Sequence, residues 1–113
     1  MTPEPIAARL RSLPVETIQG RKVPVAVGLR ARLLGLAGLR REEVGVGLLI
    51  PRCSSVHTCG MRFALDLVFL DAGRRVLAVR CGVSPFRVVS FRAADAVLEV
   101  PAGQGGEFHW RGD

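Results

Sequence analysis

Phe63-Ala64-Leu65-Asp66-Leu67-Val68-Phe69-Leu70 is the stretch that decides how this chain folds. Odd and even positions alike are apolar, and the single exception is Asp66. A strand with one face in water alternates apolar with polar residues. A run that is apolar on both parities belongs to a strand covered on both faces. Asp71-Ala72-Gly73-Arg74 then has turn chemistry, and Val76 to Val79 returns as the hairpin partner. The stretch predicts a central strand, and the rest of the chain must supply its neighbours and covers.

Upstream, Val44 to Ile50 reads as a strand stopped by Pro51, and Arg52 to Gly60 as a polar loop. Val15 to Ile18 and Val23 to Val27 read as a hairpin around Gln19-Gly20-Arg21-Lys22, with Pro24 marking an edge strand or a strand start. Downstream, Val83 to Phe91 is β-rich but interrupted by Pro85, and Val97 to Val100 is a last strand stopped by Pro101. Thr2-Pro3-Glu4 resembles a helix start, and Ile6, Leu10 and Leu13 form one face of a helix that Pro14 ends. Leu29 to Leu39 is a second short helix with Leu29, Leu33 and Leu36 on its apolar face. Gln104-Gly105-Gly106 loosens the tail, and Phe108 and Trp110 are expected to tuck it back. Many short strands with two brief helices predict a mainly β fold, a β-sandwich or barrel-like single domain over residues 1–113.

Composition bounds the function classes. The chain has 113 residues, 49% of them hydrophobic, with a formal net charge of +6. That is one domain, able to bury roughly two-thirds of its unfolded surface. The apolar fraction excludes disorder, and no run is long enough for a membrane span. Arginine supplies the basic excess, Lys22 being the sole lysine. The arginines fall in scattered pairs rather than a stripe, and base-stacking aromatics are few, which argues against nucleic acid as a partner. Cys53, Cys59 and Cys81 are an odd count, against a complete disulfide framework. The N-terminus lacks a basic and apolar leader pattern, so the expected compartment is the cytoplasm.

The chemistry-bearing residues gather before and within the central run. A buried Asp66 must be paired or hydrogen-bonded, either structurally, accepting N–H groups from the preceding loop or pairing with an Arg, or as a functional acid. Cys53, His57 and Cys59 have a Cys-x3-His-x-Cys spacing that lacks the second close pair of known zinc sites. Cys81, His109 or Asp66 would have to complete it, and no metal or other cofactor is predicted. No phosphate-binding glycine pattern and no hydrolase or kinase motif occurs. The terminal Arg111-Gly112-Asp113 is a chance match to an adhesion tripeptide.

Several short pieces stand in a characteristic order: Arg32-x-x-Gly35-Leu36, Gly47-Leu48-Leu49, His57-Thr58-x-Gly60-Met61-Arg62-Phe63-x-x-Asp66, Phe69-x-Asp71-x-Gly73-x-x-Val76, Pro85, and Leu98-Glu99-x-Pro101-Ala102-Gly103. Together they resemble the bacterial and archaeal family called domain of unknown function 192. The resemblance covers residues 23–103, between an N-terminal helix at 1–13 and a tail at 104–113. It implies a small β fold of sandwich or jelly-roll type and no established activity. It also implies that relatives are often exported, and that His57, Thr58, Met61 and Asp66 are shared polar positions.

These readings converge on a non-catalytic ligand-binding or accessory module with a pocket at the junction of residues 53–66. Asp66 would form the floor, His57, Thr58 and Arg62 would give polar contacts, and Met61 an adaptable wall. The ligand would be a small molecule or a protein partner, with Arg62 suiting an anionic or hydroxyl-rich one. The alternatives are a Cys/His-dependent or metal-dependent enzyme using Cys59, His57 and Asp66, and a purely structural or protein-interaction domain.

Overall fold

Strand β5 (Leu65–Leu70) is buried at all six positions. The computed structural model describes residues 6–105. In it β5 pairs with β6 (Val76–Val83) on one side and β8 (Ala96–Pro101) on the other. β3 (Leu48–Pro51) pairs with β8, giving an antiparallel sheet of order β3-β8-β5-β6. Alternate residues of these strands feed two separate cores, as the two-residue period of a strand requires. Leu65, Leu67 and Phe69 of β5 join Leu48, Ile50 and Val97 on one face. Val68 and Leu70 join Leu49, Leu98 and Val100 on the other.

Both faces have covers. The hairpin of β1 (Val15–Ile18) and β2 (Arg21–Pro24) lays Ile18 and Val23 on the second face. The first face packs against α1 (Ala8–Arg11) through Leu10, against Leu36, Leu39 and Val44, and against β4 (Ser55–His57) through Val56. β4 itself pairs with β7 (Val88–Ser90), and α2 (Leu29–Leu34) lies before Leu36. The result is a mainly β, sandwich-like domain whose sheet does not close into a barrel. Among the described residues no helix is long and apolar enough to cross a membrane.

The β1–β2 turn is tighter than its sequence suggests. Ile18 pairs with Arg21, so the loop is only Gln19 and Gly20, both at positive φ, the mirror-image turn that suits strand twist. β3 starts at Leu48 rather than Val44, because a 3-10 turn at Arg41–Glu43 and the positive-φ glycines Gly45 and Gly47 precede it. The expected polar loop from Arg52 to Gly60 contains β4, and β6 runs on to Val83. α2 stops at Leu34, where Gly35 takes φ +52 and ψ −124. Its expected apolar face is split: Leu36 is fully buried, while Leu29 and Leu33 are 74% and 60% exposed. The helix start at Thr2-Pro3-Glu4, the packing of Phe108 and Trp110, and His109 lie outside the described residues.

Candidate functional site

Asp66 is 2% exposed and faces the second core, and both its carboxylate oxygens are occupied. Oδ1 accepts the Gly82 N–H at 2.7 Å. Oδ2 accepts those of Gly103 and Gly105 at 2.9 and 2.8 Å. The donors come from the end of β6 and the segment after β8, not from the loop preceding the strand. Gly105 sits so close that a Cβ there would be 2.6 Å from Asp66 Cβ. Asp66 therefore ties two chain segments to the central strand.

The loop entering β5 is also tied from within. Thr58 is 1% exposed, and its Oγ1 donates to the Ser84 carbonyl at 2.8 Å and accepts the Arg87 N–H at 2.9 Å. This holds the residues after β4 against the segment before β7. His57 Nδ1 accepts the Cys59 N–H at 3.2 Å, which makes Nε2 the proton-bearing nitrogen of the ring.

His57 and Met61 line a solvent-open cavity of about 230 Å³ between α2, β3 and β4. Its walls are mainly apolar, with Leu33, Leu36, Ile50 and Val56 alongside Met61. The acid in this cavity is Glu99, not Asp66. Glu99 pairs with Leu48 and Leu67, so the strand period points it to the first face, whereas Asp66 pairs with Val100 and points to the second. Glu99 is 3% exposed, and its Oε1 is fully buried with no hydrogen-bond partner among the described residues. Gly35 lies over it, and a Cβ there would come 2.9 Å from Oε1. Arg32 also lines the cavity, but its guanidinium donates to the carbonyls of Pro51 and Arg52.

The remaining candidates lie elsewhere. Arg62 borders a separate shallow groove with Arg40, Arg41, Glu42 and Phe63. Cys53 and Cys59 are free thiols on the cavity wall, and Cys53 Sγ donates to the Ser55 carbonyl at 3.1 Å. Asp66 is on the far side of the sheet with its oxygens taken, so Cys59, His57 and Asp66 do not form a nucleophile–base–orienter chain. Among the described residues no three of His, Cys, Asp and Glu converge as metal ligands. Sequence reasoning missed Glu99 although the signal that singled out Asp66 applied to it: one acid inside an apolar strand, Val97-Leu98-Glu99-Val100.

Desolvation by burial pushes the Glu99 carboxyl from its ordinary 4.5 up to about 7. The folded protein thus holds a proton that the unfolded chain releases between these values. Stability is full below the unfolded value and falls as pH rises towards 7, by roughly 3 kcal/mol in all. Urea denaturation from pH 4 to 8 should trace this loss. Glu99→Gln should flatten it and be more stable than the parent at pH 8. A parent whose stability rises across that range would contradict the burial of an unpaired carboxyl.

A sandwich-like antiparallel sheet with a small apolar cavity beneath a short helix defines a compact mainly β domain class. The sequence matches the DUF192 family model, described as uncharacterized ACR, over residues 14–110, and the chain belongs to that family. Two crystal structures resemble it in fold. One is a protein of unknown function from Novosphingobium aromaticivorans, 21% identical, covering 77% of this chain and 67% of that one with a TM-score of 0.61. The other is a proposed transcription regulator from Sinorhizobium meliloti, 23% identical, covering 80% of this chain and 78% of that one with a TM-score of 0.66. No curated protein matches the sequence.

Proposed function

We propose that this domain is a non-catalytic binding module whose ligand enters the cavity between α2 and β4. The observation that carries the reading is Glu99, a buried carboxyl with an unpartnered oxygen in an apolar, solvent-open cavity. An unsatisfied buried acceptor costs about 1–3 kcal/mol, more when charged. A fold keeps such a group only against a cost, and a bound donor would offset it. The cavity is smaller than drug-sized pockets of roughly 300–1,000 Å³, so the ligand is small. His57 supplies a directional contact at the wall and Met61 an adaptable one. Thr58 serves by holding the loop that follows His57 and carries Met61, and Asp66 by fixing the strand into which that loop leads. Arg62 would act through its separate groove.

A fragment screen by amide chemical-shift mapping on the full chain tests this. Binding fragments should perturb Leu33, Val56 and Glu99 together, and the same fragments should lose affinity for Leu33→Arg at the mouth. Fragments that bind without touching these amides, or none that bind, would overturn the assignment.

A further inference from the structure

Resting on that reading, we infer that the cavity selects an organic cation, an amine head on a short apolar body, with the head paired to Glu99. The two buried acids of the sheet are treated in opposite ways. Asp66 receives three backbone N–H groups, whereas Glu99 Oε1 receives none. Among the described residues, donors from the chain satisfy the acid on one face and leave the acid on the other with an unpaired oxygen. The cationic side chain in the cavity wall, Arg32, directs two of its N–H groups to the carbonyls of Pro51 and Arg52 and makes no ion pair with Glu99 among the described residues. When Glu99 is ionised, a cationic ligand head would supply the counter-charge that the described residues do not.

The surroundings favour the same head and body. Gly35 packs directly over Oε1, where a Cβ would come within 2.9 Å, and its φ of +52 suits glycine. Leu36, Ile50, Val56 and Met61 line the cavity with apolar surface suited to a ligand's body. Leu29 and Leu33 extend the apolar surface outward at the rim, where a short alkyl body would continue. A ligand anion placed here would meet a like charge once Glu99 is ionised.

The pH profile separates this ligand class from its rivals. Among the described residues, the titratable or charged groups sharing the cavity with Glu99 are Arg32 from α2, His57 from β4, and Cys53 and Cys59 at either end of β4. The flanking strands contribute Leu48 and Leu67 at the positions paired with Glu99. An amine pairs with ionised Glu99, so each binding event below pH 7 releases the Glu99 proton. Amine affinity then rises about tenfold per pH unit towards 7 and levels off, up to the amine's own titration near ~10. A carboxylic acid that needs protonated Glu99 loses affinity in the same range.

Calorimetric titration of the full chain with hexylamine, hexanoic acid and hexanol from pH 5.5 to 8.5 reads this out. Hexylamine should bind tightest at pH 8, with the rising profile and proton release below 7. In Glu99→Gln, folded by circular dichroism, its affinity should drop at least tenfold and the slope should vanish, which excludes His57 as the source of the proton. Tighter binding of hexanoic acid or hexanol would overturn the ligand class and leave the binding cavity standing. A slope that survives in Glu99→Gln would overturn the pairing. No binding of any of the three at the cavity amides sinks the class and the cavity together.

Discussion

Asp66→Ala is expected to lower the melting temperature of the protein sharply. The substitution strips partners from the N–H groups of Gly82, Gly103 and Gly105 in one step. Hydrogen bonds to a charged group contribute about 1.5–3 kcal/mol each. The Gly105 N–H is buried and has no access to water, while Gly82 and Gly103 are exposed and can rehydrate. A total near ~4 kcal/mol follows, set against the 5–15 kcal/mol typical of a domain. For a chain of this size that is a drop of roughly 15–30 °C in Tm. Asp66→Asn should fall between, because one amide oxygen remains while the new NH2 group faces donors. A melting temperature for Asp66→Ala within a few degrees of the parent would refute the clamp.

Gly47→Ala should be nearly as damaging, for a steric reason. Gly47 has φ +119, a backbone conformation that L side chains rarely adopt. A Cβ there would overlap the Glu99 carbonyl oxygen and come 2.8 Å from Val100 Cγ1. Those atoms belong to β8, pinned between β3 and β5, so they cannot retreat without breaking ladder hydrogen bonds. A cost of about 3 kcal/mol or more is expected. Gly20→Ala is the matched control. Gly20 also has positive φ, +79, but a Cβ there meets nothing within 4 Å. Its cost should stay near ~1 kcal/mol, the conformational part alone. Equal melting temperatures for the two variants would show that close approach at Gly47 is not what matters.

The two acids show how far residue-by-residue reading reaches. An acid flanked by aliphatic residues in a strand is buried, and that inference holds for Asp66 and for Glu99 alike. Whether such an acid is satisfied depends on donors distant in sequence. Gly103 and Gly105 are brought to Asp66 because β8 lies beside β5 and the chain turns back after Pro101. Nothing local announces that. Leu29 and Leu33 make the complementary point. Their spacing marks a helix face correctly, but a six-residue helix ended by Gly35 presents that face to a cavity rim, not to the core.

What the amino-acid order determined by itself is the central strand, the hairpin after it, the mainly β class and the family. These rest on the two-residue period, turn residues and burial of apolar side chains, all properties of neighbours along the chain. Which face each acid occupies, which one is left without donors, and where a cavity opens were decided only by tertiary structure. Pairing register sets those outcomes: Leu67 opposite Glu99 and Asp66 opposite Val100 put the two carboxyls on opposite sides of one sheet.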